Sequence, residues 1–451
     1  MKLQSLFSYS FAVYIAKFSG LLAILLMSNK MTPNSLSQYA MFTLVVEFSV
    51  YFILGAQYNL INNLSVLKVE RKKTNLIGDT FLFSIITITF FSTLFIFFKD
   101  HIFLLKKYDL NNYLFLIFFS LIIVIFNILF VKIARIRKLI KLLILEQVTY
   151  PVGILVFVFF IKSVTFKDFI VIYCTLKLIP LIFFSLKINV FGNYFFNGFI
   201  YRLKHIFISS IKLLLYNAFF AIILITAQSI ISANIETDTF GVFKIGFLIA
   251  SIPNLLILGF EALLYPNIYK KIQQNKLDVI NQFESIYYLL ICFLFSFVMI
   301  FLDLFSLIFV ELNSIYTTIL ILLLIQFSIL KVYLRKILLV TEKKELTLFC
   351  ISLIPLSIIC IFSQFISFNL NLFLTILLLS FIIYDLFLLH KSNYTNSFST
   401  ISYCFLVISL LIMIHFSFSN EIIGALFISL SLLINYKNLH KTKSIIESIS
   451  V

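Results

Sequence analysis

The stretch FSYSFAVYIAKFSGLLAILLMSNKMTPNSLSQYAMFTLVVEFSVYFILGAQYNLINN, Phe7 to Asn63, decides how the chain is read. It holds two apolar runs joined by the polar loop Thr32-Pro33-Asn34-Ser35, and each run carries an ionisable residue in its interior, Lys17 and Glu47. A run of about 20 apolar residues is the length that crosses the hydrocarbon of a bilayer. A charge inside such a run costs several kcal/mol on insertion, so it belongs to an inward face, to a partner or to a water-filled path. The plainer reading is that Lys17 snorkels or that the two residues pair.

The rest of the chain repeats this pattern. Of 451 residues 62% are hydrophobic and 12% charged, and the mean hydropathy is +1.10, far from the roughly 25% charged residues of soluble domains. The fold class is all-α integral membrane. Apolar runs place about fourteen helices, near 7–28, 38–61, 78–98, 112–131, 142–161, 168–189, 206–231, 239–265, 284–309, 314–337, 345–367, 370–389, 400–418 and 420–436. Merging one hairpin near 284–337 or 400–436 lowers the count towards twelve. The first run is too long for a secretory signal, contains Lys17 and is followed at once by another span, so it is read as a retained helix.

A net charge of +16 raises nucleic acid as a partner, but the basic residues fall between spans and are better explained by membrane orientation. With the N-terminus inside, about 25 of the 35 Lys and Arg residues lie in loops assigned to the cytoplasm, Arg71, Lys132, Arg135, Arg202 and Lys331 among them. About six, including Lys30 and Lys107, lie opposite. The expected placement is a bacterial cytoplasmic (inner) membrane, multi-pass, with both termini cytoplasmic. The five cysteines sit in apolar runs without metal-type spacing and read as packing residues.

An internal repeat organises the chain. Ile53-Leu54-Gly55-Ala56-Gln57 returns 204 residues later as Ile257-Leu258-Gly259-Phe260-Glu261, and the same offset sets Ser37-Gln38-Tyr39 on Gly241-Val242-Phe243. Each unit holds about six helices, so the two run in the same direction. The expected domains are a lobe at 1–204, a second lobe at 205–391, and a helical hairpin with a tail at 392–451.

Polar residues cluster in the helices that carry the repeat. Tyr14 and Lys17 share a face of the first helix, and Tyr39, Thr43, Glu47, Tyr51 and Gly55 follow at i+4 in the second. Lys244, Ser251, Asn254 and Glu261 line the eighth, and Lys212 opens the seventh. Three lysines, Lys17, Lys212 and Lys244, outnumber the nearby Glu47 and suggest an anion site. Tyr14, Tyr51, Asn254, Glu261 and Glu47 are its polar or ion-coupling candidates; the bland alternative is interhelical hydrogen bonding. Asp303 and Asp385 are placed near helix ends where solvation is cheap, Glu146 in the basic loop before its span, and His415 as a satisfied polar residue. No phosphate loop, zinc cluster or nucleophile elbow is present, so no enzyme is expected.

Ser19-Gly20, the loop Thr32 to Ala40 and Leu54-Gly55, with the second copy Phe240-Gly241-Val242-Phe243 running to Tyr265-Pro266, resemble bacterial polysaccharide (O-antigen-type) flippases of the multidrug/oligosaccharidyl-lipid/polysaccharide exporter superfamily. Ser37 stands where that family has glycine, and its arginine after the second helix is missing around Asn62-Asn63. The resemblance implies two lobes working by alternating access and a lipid-linked oligosaccharide, carried on undecaprenyl diphosphate, as substrate for surface polysaccharide and lipopolysaccharide assembly. By it, Lys17, Lys212 and Lys244 receive the diphosphate. It also implies coupling to a proton or sodium gradient, no bound cofactor, and polymerase machinery and membrane lipids as partners, with no nucleic acid. The competing readings are a membrane O-antigen polymerase or glycosyltransferase, and a drug/cation antiporter of the same fold.

Overall fold

The computed structural model describes residues 3–67, 69–188, 190, 194, 198–217, 219–254, 257, 277–332, 345–365, 368–391, 397–416 and 418–439; within these, side chains such as Ser10, Lys212, Tyr216 and Asn217 lie outside the description. The described residues are 88% helical, with no strand among them. Contacts divide it into two units, Met1–Gly241 and Val242–Val451.

In the first unit the helices are α1 (Leu3–Ser28), α2 (Pro33–Ser49), α3 (Ala56–Val66), α4 (Glu70–Phe98), α5 (Phe103–Lys107), α6 (Leu114–Ile136), α7 (Ile140–Phe160), α8 (Phe166–Lys187), α9 (Phe199–Asn217) and α10 (Phe219–Asn234). Local chemistry sets their ends. Thr32 caps α2, its hydroxyl accepting from Ser35 N at 3.3 Å, and Pro33 fills the first turn, where its missing N–H costs nothing. Thr165 and Asp168 form a reciprocal capping box at the start of α8. The long helices pack as a bundle in which α1 runs along α7, and α6 lies between α3 and α8. At Gly20 a Cβ would stand 3.3 Å from Pro151 Cβ, so the glycine permits the close α1–α7 approach. Edge-on contacts of Phe42 with Phe166, Phe169 and Tyr173 fill the interior between α2 and α8, whereas Phe97, Phe115 and Phe160 point outward, as suits a lipid solvent.

The second span departs from the continuous helix expected over 38–61. α2 ends at Ser49, Leu54 and Gly55 adopt left-handed φ of 48° and 82°, and α3 restarts at Ala56. The stripe Tyr39, Thr43, Glu47 therefore stops before Tyr51, which lies in the interruption. Gly55 is required there twice over: its φ is positive, and a Cβ would stand 2.5 Å from Ser210 O and 2.9 Å from Leu214 Cβ on α9.

α11 (Thr237–Ala250) crosses the division between the units; its Gly241 packs on the repeat partner of the same glycine, a Cβ there standing 3.0 Å from Leu36 Cγ and 3.2 Å from Ser37 N.

The second unit contains α12 (Leu277–Ile300), α13 (Leu302–Ile308), α14 (Tyr316–Lys331), α15 (Glu345–Phe365), α16 (Leu370–Lys391), α17 (Ser397–His415) and α18 (Asn420–Leu439). Here α12 packs on α18, and α16 on α14 and α15. Among the described residues eight helices are long and apolar enough to span a membrane, or nine if the pair bent by 45° at Phe301 is one span; Ile222–Asn234, Ile401–His415 and Glu421–Ile434 are shorter apolar helices. The protein is a multi-pass membrane protein.

Candidate functional site

One face of α6 forms the wall of a cavity of about 350 Å³ inside the first unit. Val124, Asn127, Ile128, Val131, Lys132 and Arg135 follow one another at steps of three, one, three, one and three, which is a single helical stripe. Glu146 and Gln147 of α7 and Tyr173 and Lys177 of α8 line the cavity too, and the interruption after α2 completes it with Val50, Gln57 and Tyr58. The break at Gly55 matters for the site because it resets the helical phase just before Gln57, which also lines the cavity and is 2% exposed.

The lining is cationic. Lys132, Arg135 and Lys177 face a single carboxylate, Glu146, which Lys177 engages at 3.3 Å while its ammonium lies 5.0 Å over the Tyr150 ring. Lys17 lies within electrostatic reach of both members of that pair. Lys132 and Arg135 make no ion pair among the described residues. Unneutralised cations in a mostly apolar bundle create a positive field that draws an anion in.

Two acceptors are unfilled. Asn127, 3% exposed, donates through Nδ2 to the Lys177 carbonyl at 2.8 Å, and its Oδ1 has no hydrogen-bond partner among the described residues; neither has Gln57 Oε1. A buried polar atom left unmatched costs about 1–3 kcal/mol, so such an atom beside a cavity points to a ligand or water that supplies the missing donor.

The candidates read from sequence are spread more widely. Lys17 and Tyr14 are half-buried on α1, and Glu47 is half-buried on α2. Lys244 is fully buried, its ammonium 5.4 Å from the Phe247 ring centroid, and Asn254 donates to Gln326 within the second unit. Glu261 and the Lys212 side chain lie outside the described residues.

Two expectations are corrected. Glu146 is not in a basic loop: α7 begins at Ile140, so the carboxylate is a turn and a half inside the helix, 8% exposed and paired. Asp385 is not cheaply solvated. It is 2% exposed and forms an ion pair of 2.7 Å with Lys331, which the loop assignment had placed in water; Lys331 also approaches Cys404 Sγ at 3.3 Å. Cys174, Cys292 and Cys404 are buried, whereas Cys350 and Cys360 are exposed on an apolar helix. His415 is satisfied by the Leu411 carbonyl at 3.0 Å.

A further cluster escaped the sequence reading. Asp79 on α4, 2% exposed, receives Arg202 at 2.6 and 3.1 Å and the Tyr194 hydroxyl. Burial, and after it the hydrogen bond to Asp79, pushes the Tyr194 phenol up to about 12, so it stays a donor at neutral pH. The cluster ties the connection between α8 and α9 to α4.

No protein-family model and no curated protein matches the sequence. Among solved structures, the chain is similar to the lipid II flippase MurJ in an inward closed conformation, with a TM-score of 0.63 at 15% identity, over 97% of this chain and 100% of that one. It is also similar to an inward-facing multidrug resistance MATE family transporter of the MOP superfamily, with a TM-score of 0.58 at 12% identity, over 91% and 96% of the two chains. The fold is therefore that of these transporters.

Proposed function

We propose that the protein is a secondary transporter that flips an anionic lipid-linked oligosaccharide, with undecaprenyl diphosphate as carrier, from the cytoplasmic to the outer face of a bacterial inner membrane for surface polysaccharide assembly. The observation that carries this reading is the excess of positive charge on the cavity of the first unit, where Lys132, Arg135 and Lys177 meet only Glu146. A drug or cation antiporter of the same fold calls for the opposite sign. The likeness to a lipid II flippase supports a lipid-linked substrate. Lys17, which does not line the cavity, is retained with Lys212 and Lys244 as a candidate for holding the diphosphate at other stages of the cycle. Both termini are assigned to the cytoplasm from the loop charges, and the polymerase of the same assembly line is a partner in this reading.

The test is genetic. Deleting the gene should abolish the surface glycan and leave its lipid-linked unit on the cytoplasmic leaflet, and the Lys132→Gln/Arg135→Gln double variant should fail to restore export. Single repeat units still reaching the surface would point to a polymerase instead.

A further inference from the structure

The outer face of α9 mixes basic and apolar residues at a depth that its neighbour α4 sets. α4 opens with the polar run Glu70-Arg71-Lys72-Lys73-Thr74-Asn75 and reaches Asp79 before an uncharged stretch, Phe81 to Phe98, begins. At about 1.5 Å per residue that stretch spans about 27 Å, close to the hydrocarbon thickness of a bilayer. Asp79 therefore marks the edge of the hydrocarbon on its side. Two contacts set α9 alongside in the same direction: Arg202 Nε donates to Asp79 at 2.6 Å, and the Phe207 ring lies 6.3 Å from that of Phe83. Lys204 and His205 fall between those two levels, within snorkelling reach of lipid phosphates.

At this level α9 has two distinct faces. Arg202, Ile206 and Ser210, spaced at i+4, turn inward: Arg202 is committed to Asp79, and Ile206 joins a core that includes Ile77 and Phe184. Ile200, Lys204 and Ile208, also at i+4, are exposed, as are Tyr201, His205 and Phe207 beside them. α9 contains no Asp or Glu, and Lys204 and His205 form no ion pair among the described residues. The order along the axis is that of a phospholipid. Tyr201 stands on the headgroup side, the two basic side chains follow at phosphate depth, and Phe207 and Ile208 lie about 5 Å deeper against the acyl region. A soluble anion would leave Phe207 and Ile208 uncovered. A zwitterionic headgroup would set its own cation against two basic residues.

We propose that this face of α9 binds an acidic glycerophospholipid of the adjoining leaflet, its phosphate at Lys204 and His205 and an acyl chain along Phe207 and Ile208. None of these residues lines the cavity, so the site does not depend on what the protein transports. Bound there, the lipid holds α9 from outside against the break at Gly55, which Ser210 O and Leu214 Cβ already crowd from within. Acidic lipid therefore stabilises the fold.

The chain has no tryptophan, so Tyr201→Trp places a single fluorophore on this face of the full-length protein in nanodiscs. Chain-brominated phosphatidylglycerol and phosphatidylcholine are compared as quenchers at matched mole fraction. The acidic lipid should associate about fivefold more strongly, and adding Lys204→Gln/His205→Gln to the reporter should bring the ratio close to one. Phe115→Trp, a control reporter at an exposed position of α6, should give a ratio close to one. In detergent, the unsubstituted protein should melt higher with phosphatidylglycerol than with phosphatidylcholine, and Lys204→Gln/His205→Gln should remove the difference; this second measurement needs no reporter to fold. A ratio close to one for Tyr201→Trp, an equal preference for Phe115→Trp, or a melting difference that survives in Lys204→Gln/His205→Gln would overturn the site. So would an equal melting shift with glycerol phosphate, which carries the charge without the chains.

Discussion

Lys331 and Asp385 show how much a single residue's surroundings can change its reading. Each side chain is 3% exposed and the pair is 2.7 Å apart, so both charges have lost their water and each depends on the other. Breaking one side of such a pair typically costs about 3–5 kcal/mol, whereas replacing both sides with apolar groups is nearly neutral. Lys331→Met and Asp385→Leu should each lower the melting temperature in detergent sharply, and the double variant should regain most of the loss; additive losses would contradict the pair. Lys30 and Lys107 have a different role. Lys30 Nζ donates to the carbonyls of Val158 and Ile161 at 2.5 and 2.8 Å, and Lys107 Nζ to those of Ser232, Ala233 and Ile235 at 2.6 to 3.0 Å. They cap the C-terminal ends of α7 and α10, which explains why basic residues persist in loops assigned to the outer side. Lys107→Met should cost about 1 kcal/mol in a thermal melt, and no change would mean the cap is idle. Sequence marked Lys17 and Glu47 because a charge in an apolar run is conspicuous. It could not mark the Lys177–Glu146 or Arg202–Asp79 pairs, whose partners lie 31 and 123 residues apart, nor the orphan oxygens of Gln57 and Asn127, since amides look alike whether or not their partners are present.

At the scale of the element, the positions of helices were legible and their ends and breaks were not. Apolar runs locate the described helices because lipid demands continuous hydrophobicity, and eight or nine of those helices are long and apolar enough to span. The same uniformity hides the break at Leu54-Gly55, where Phe52-Ile53-Leu54 and Ala56 continue the apolar run and the i+4 stripe from Tyr39 to Gly55 reads straight through it. Likewise α6 continues to Ile136, so Lys132 and Arg135, which a charge-based boundary assigns to a loop, belong to its cavity-facing stripe. Gly55→Ala should destabilise the protein by about 1–3 kcal/mol, from the positive φ together with the clash against Ser210. Because the break sets the phase of Gln57, it should also reduce ligand binding. A variant as stable and as active as the parent would show that α9 and the break can shift freely.

For the molecule as a whole, composition and the loop charges established a helical membrane protein, and the fold shared with flippases and multidrug transporters agrees with it. The repeat of Leu54-Gly55 at Leu258-Gly259 was visible in sequence, yet its second copy falls largely outside the described residues. The cavity was not legible: loop charge assigns Lys132 and Arg135 outside the span, and neither Lys17 nor Lys244 lines it. Its assembly from α3, α6, α7 and α8 depends on packing that no periodicity specifies. The inside placement of both termini predicts that reporter enzymes active only in the cytoplasm will work when fused at either end, and activity of a periplasmic reporter at one end would reverse the orientation.

The central claim, that a basic cavity moves an anionic lipid-linked sugar, is tested most directly in liposomes. Purified protein is reconstituted with a fluorescent prenyl-diphosphate sugar, and its appearance on the far leaflet is followed by a membrane-impermeant quencher. The account predicts protein-dependent flipping that Lys132→Gln/Arg135→Gln reduces at least about tenfold while the variant stays folded. Flipping at the parent rate in that variant, or transport of a cationic drug in place of the lipid, would contradict it.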